Sequence, residues 1–71
     1  MGSQRKLHKG ERVSWKSHGG RAHGVVQEEI TQRTQAAGRT VNASKEEPQY
    51  LIRNDHSGRD AVHRPEVLRR E

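Results

Sequence analysis

Cysteine and phenylalanine are absent from this 71-residue chain, and aromatic side chains are limited to one tryptophan and one tyrosine. Without cysteine there is no disulfide, no thiolate for zinc and no thiol nucleophile, a composition compatible with a reducing compartment. Uninterrupted apolar runs reach three residues at most, in Tyr50-Leu51-Ile52. No transmembrane helix and no signal-peptide core can be drawn from such runs, so no membrane association and a cytoplasmic location are expected. Phosphate-cradling loops of the GxGxxG or GxxxxGK[ST] type are also missing, which leaves a nucleotide enzyme without support.

Charge is what the chain has in quantity. Fourteen Lys/Arg against nine Asp/Glu give a formal net charge of +5, which favours a polyanion such as RNA or DNA as partner. A chain of this length makes one domain, expected to act as a monomer, and buries only about 60% of the surface its unfolded form exposes. The apolar residues available for its core are chiefly Val13, Trp15, Val26, Val41, Tyr50, Ile52, Val62 and Leu68.

Five stretches carry strand signals bounded by turn residues: KGERVSW (9–15), GRAHGVV (20–26), RTVNA (39–43), QYLIRN (49–54) and GRDAVHR (58–64). Their even spacing, with no helix-length apolar period between them, predicts a closed or nearly closed all-β domain, a small barrel. In the first stretch Val13 and Trp15 share one face, and Arg12, Ser14 and Lys16 the other. The second strand is expected to be the longest, over 22–32. It breaks strict alternation at Val25-Val26, which calls for a bend, and Gly24 is the residue placed to absorb it.

Residues 34–38 read as a flexible connection. The NDHSG run (54–58) reads as a tight turn, with Gly58 in the left-handed position. Pro65 opens a single helical turn, and Val67 or Leu68 plugs one end of the barrel. Residues 1–8 (MGSQRKLH) read as a mobile basic tail, with Met1-Gly2-Ser3 given no structural weight. The barrel then spans 9–69, and the C-terminus, 70–71 in particular, is expected to fray.

Candidate chemistry is sparse. His8, His18, His23, His56 and His63 are dispersed, with no HxxxH pair, so no metal site and no cofactor are expected. Asp55, His56 and Ser57 contain the residue types of a hydrolytic triad but are consecutive in a turn, whereas such groups must converge from separate positions. The adjacent pairs Glu28-Glu29 and Glu46-Glu47 do not form an acid/base couple across a cleft. No catalytic residue is assigned, and the chain is expected not to be an enzyme.

Basic side chains remain. Arg12, Lys16, Arg21, Arg39 and Arg53 are the candidate binding residues, since arginine suits bidentate contact with phosphate or carboxylate. With Trp15 and Tyr50 both of inward parity, backbone contact is favoured over base stacking. The expectation is a non-catalytic module that binds nucleic acid weakly and with little sequence preference. The alternative is a protein-interaction module that docks a peptide along a groove or sheet edge.

KGERVSW followed by GRAHGVV resembles the opening of KOW and Tudor modules, in which a G-x-x-V strand turns into a G-x-V strand. YLIRNDHSGRDAVHRPEVL is similar to the Tudor close: an apolar strand, an Asp/Ser-Gly turn, a strand with one valine and a helical turn ending in leucine. Together with TVNASKEEPQYLIRN, these segments resemble the hypervirulence-associated protein Tudor-domain family over about residues 9–69. The resemblance implies an SH3-like (Tudor/KOW-like) five-stranded barrel with a short C-terminal helical turn. Tudor domains that read methylated side chains surround the cation with three or four aromatics, and only Trp15 and Tyr50 are present here to contribute.

Overall fold

The computed structural model describes residues 7–71; the first six residues of the expected tail lie outside the described residues. Strand β1 (Arg12–Ser17) pairs antiparallel with β2 (Gly20–Ile30), setting Val13 opposite Gly24 and Trp15 opposite Ala22. Two glycines at the turn between them, Gly19 (φ 86°) and Gly20 (φ 151°), take backbone angles that L side chains resist. A short hairpin follows, β3 (Thr34–Ala36) and β4 (Arg39–Val41). Next come β5 (Gln49–Asn54), β6 (Asp60–His63), a 3₁₀ turn (Pro65–Val67) and β7 (Arg69–Arg70).

Five strands form one sheet in the order β6-β5-β2-β1-β7, and β3-β4 stands as a separate two-stranded sheet. The five-stranded sheet curls without closing its hydrogen-bond ladder. Its curvature brings the Trp15 ring of β1 against the His63 ring of β6, with centroids 5.0 Å apart, although two strands lie between them. The concave face holds the larger core cluster: Leu7, Val13, Trp15, Val26, Tyr50, Ile52 and Leu68, all buried. Strand order, curl and the 3₁₀ turn before the last strand make this an all-β, SH3-like fold.

A β-bulge in β2 creates a second cluster. Val26 pairs with Ile52 but Glu28 pairs with Leu51, so Gln27 is the extra residue that reverses the alternation. Val26 consequently faces the concave core, while Ile30 points to the opposite side with Leu51 and Val62. There the β3-β4 hairpin closes over them, contributing Val41 and Ala36, with Ala43 just beyond it. Packed apolar groups therefore lie on both faces of β5, Tyr50 and Ile52 on one and Leu51 on the other, beside Val62 of β6.

Several expectations are corrected. The bend falls at Gln27, not at Gly24. Gly24 is small for another reason: a Cβ there would lie 2.5 Å from the Arg53 carbonyl oxygen and 2.8 Å from Ile52 Cγ2. Residues 34–38 are not a flexible connection but β3 and its turn, where Ala37 (φ 52°) and Gly38 (φ 76°) supply the two positive φ angles of a type I′ hairpin.

The chain ends also depart from their reading. Leu7 is a core residue with 4% exposure, and its N–H donates to the Tyr50 hydroxyl at 3.3 Å. The C-terminus does not fray: Arg69 and Arg70 pair with Ser14 and Val13, and the Glu71 N–H donates to the Arg12 carbonyl at 3.1 Å. Of the two residues considered for the plug, Leu68 is buried and Val67 is half exposed. Val13, Trp15, Val26, Val41, Tyr50, Ile52, Val62 and Leu68 are all buried.

Candidate binding face

Since Val13 and Trp15 point into the concave core, Arg12, Ser14 and Lys16 occupy the convex face of β1. Cross-strand partners share a face, so the register carries that assignment outward. Arg12 lies opposite Val25, and Val25 opposite Arg53. Ser14 lies opposite His23 on one side and Arg69 on the other, and Lys16 lies opposite Arg21. Arg12, Lys16, Arg21 and Arg53 thus share the convex face of β1, β2 and β5, joined by Arg69 from β7. Arg39 stands apart on the hairpin, where its guanidinium donates to the Val62 carbonyl at 3.3 Å.

Counterions divide this face. Arg12 donates to Asp55 at 2.6 Å and lies 3.6 Å from Glu71, and Arg53 meets Asp60 at 3.0 Å. The Asp55 carboxylate, by hydrogen bond and by charge, raises the Arg12 pKa further above its ordinary value. His23 contacts the second oxygen of Glu71. Lys16, Arg21 and Arg69 have no carboxylate partner among the described residues; Arg21 donates instead to the Ser14 hydroxyl at 2.9 Å. Placing Lys16 directly opposite Arg21 sets like charges across a strand pair, which costs stability unless an anion is supplied.

Beside these residues an open cleft of 630 Å³ runs between the β1-β2 and β5-β6 turns, lined in part by Arg12, Arg21, His18, His23, Asp55 and His56. Asn54 builds its far wall. Its side-chain oxygen accepts the N–H groups of His56 at 2.7 Å and Ser57 at 3.1 Å, its carbonyl accepts the Gly58 N–H at 2.8 Å, and Gly58 takes φ 72°. Asp55 is thereby fixed to hold Arg12 across the cleft mouth.

Apart from the three histidines, no aromatic ring lines this cleft. Trp15 is 6% and Tyr50 1% exposed, both committed to the core. Burial raises the Tyr50 pKa above its ordinary value, and Glu29 at 3.4 Å adds to that. Asp55, His56 and Ser57 follow one another around the turn, and among the described residues no group of three or more histidine, aspartate or glutamate side chains could hold a metal ion. Sequence reasoning missed Arg69 as part of this face, because it lay in a stretch read as ending the ordered chain. It also missed the neutralisation of Arg12 and Arg53, whose partners become neighbours only through strand pairing.

Among the described residues no helix is long and apolar enough to cross a membrane. No curated protein and no solved structure matches the chain. A family model does: that of the TUDOR domain of hypervirulence-associated proteins, over residues 10–68.

Proposed function

The chain belongs to the TUDOR-domain family of hypervirulence-associated proteins, and from that premise we propose a small, non-catalytic, cytoplasmic binding module that contacts the phosphate backbone of nucleic acid through its bare convex face. The observation that carries this reading is the Lys16–Arg21 pair, two cations held opposite each other without a carboxylate partner among the described residues. Arg69 extends the same positive surface across β1. With Trp15 and Tyr50 both buried, the face offers charge and hydrogen-bond donors to phosphates and no tryptophan, tyrosine or phenylalanine platform for a base. Binding is accordingly weak and tolerant of sequence.

Affinity for a duplex DNA probe, followed against salt concentration, tests this. Three phosphate contacts give a slope of about −2.7 in log K against log salt, and Lys16→Gln removes about 0.9 of it while weakening binding to all sequences alike. Absence of binding to DNA and RNA at low salt would overturn the reading.

A further inference from the structure

A second surface, sharing no residue with the convex basic face, is built from strand edges. The Asn54 N–H donates to the Arg59 carbonyl at 2.8 Å, which fixes the phase of the β5-β6 ladder. Counting from that bonded pair, Ile52/Ala61 and Tyr50/His63 exchange hydrogen bonds, so Asp60 and Val62 direct their N–H and C=O groups away from β5. Because β6 is the last strand of its sheet, those groups meet no neighbouring strand. The Val62 carbonyl is instead covered by a side chain, the Arg39 guanidinium at 3.3 Å.

The hairpin presents a similar edge. Ala36 and Arg39 flank a two-residue turn and exchange hydrogen bonds, which leaves Thr40 with its backbone groups on the outer side of β4. Thr40 and Val62 line one open groove of 370 Å³, together with Arg39, His63, Arg64 and Val67. No carboxylate lines it. Val67, the large apolar residue left half exposed among the described residues, sits at its side.

We propose that this groove receives an extended acidic peptide segment of a partner protein, which adds to the free edge of β6. The peptide's N–H replaces Arg39 on the Val62 carbonyl, and the released guanidinium turns to a carboxylate of the peptide. Arg64 takes a second carboxylate, and an apolar side chain of alternate parity covers Val67. Main-chain hydrogen bonds supply affinity and the alternate side chains supply selectivity, as in other strand-addition complexes. Charge selects the occupant: with two arginines and no acid in the lining, a basic segment is repelled. The site shares no residue with Lys16, Arg21 or Arg69, so its existence does not depend on the nucleic-acid reading.

The test uses a short labelled peptide alternating glutamate with valine, a version with lysine in place of glutamate, and a version N-methylated at alternate amides. Binding is followed by fluorescence anisotropy and by amide chemical shifts of the full chain. The glutamate peptide is expected to bind and to shift the Val62, Arg64 and Thr40 amides. Arg39→Gln and Arg64→Gln are each expected to weaken it by about two- to fivefold. N-methylation of the edge-facing amides should abolish binding, and Lys16→Gln should leave it unchanged. The proposal is overturned if the glutamate peptide fails to bind, if the lysine peptide binds equally well, or if the shifts map to the β1-β2 turn. Displacement of the peptide by duplex DNA, with the DNA itself shifting Val62, would also overturn it by assigning the groove to nucleic acid.

Discussion

The convex face of the five-stranded sheet has two halves with opposite fates. Over β5 and β6 it carries Leu51 and Val62, gains Ile30 through the bulge at Gln27, and is sealed by the β3-β4 hairpin. Over β1, β2 and β7 the corresponding positions include Lys16, Arg21, His23 and Arg69, all exposed, and the face stays open around them. One sheet therefore has a core on both sides at one end and a core on one side at the other. The bulge decides the boundary, since in a regularly alternating β2, with Gln27 paired like its neighbours, Ile30 would share the concave side with Val26. The candidate binding face is the part of the sheet that the hairpin does not reach.

The largest effect belongs to the concave core, which both halves share. Trp15→Ala is expected to cost about 3–5 kcal/mol, comparable to the entire stability of a domain this small. Chemical denaturation measures it, and a midpoint unchanged from the parent would mean that Trp15 is not the anchor its 6% exposure indicates. Val41→Ala strikes the second cluster alone and is expected to cost about 2 kcal/mol. Amide exchange should then accelerate in β3 and β4 while β1 and β2 stay protected. Equal acceleration in both halves would show that the two clusters unfold as one and that the comparison has no energetic content.

His63 joins the halves and gives a smaller effect. It packs on Trp15 in β1, faces Tyr50 across the ladder, and lies beside Arg39 of the hairpin. Burial first, and the Arg39 charge second, lower its pKa below the ordinary 6.5. As pH falls through 6.5 the unfolded chain binds this proton before the folded chain does, so stability is full above that value and declines below it, until the folded group titrates too. Melting temperature is therefore expected to drop as the buffer is taken from about pH 7.5 towards pH 5, and His63→Gln should flatten that part of the profile. A profile already flat in the parent would remove His63 as a link between the halves.

Much of the fold was legible because alternation and turn chemistry agree. Val13/Trp15 and Tyr50/Ile52 mark the concave face by parity, and the NDHSG turn and Pro65 fix two junctions that the structure forms in the same places. Three features were not legible. Leu7 is a lone apolar residue in a polar segment, so no period reveals it, and only its proximity to Tyr50 explains its burial. The β3 strand is three residues long, too short to alternate, and its Ala-Gly turn is a weaker signal than Asn-Gly. Moreover, Val25-Val26 shows that β2 must bend without showing where.

The candidate face divides in the same way. Parity alone puts Arg12 and Lys16 on one side of β1, but the ion pairs Arg12–Asp55 and Arg53–Asp60 need strand register, and Arg69 needs the return of the chain onto β1. The sequence supplies the basic residues and leaves open which of them keep a charge to offer.

The most direct test of that division is a map of amide chemical shifts as the ¹⁵N-labelled protein is titrated with a short DNA duplex at low salt. Shifts are expected at Lys16, Arg21 and Arg69 and along the neighbouring cleft, with β3 and β4 unmoved. Shifts confined to the hairpin, or none anywhere on the protein, would contradict the assignment of the open half of the sheet as the binding face.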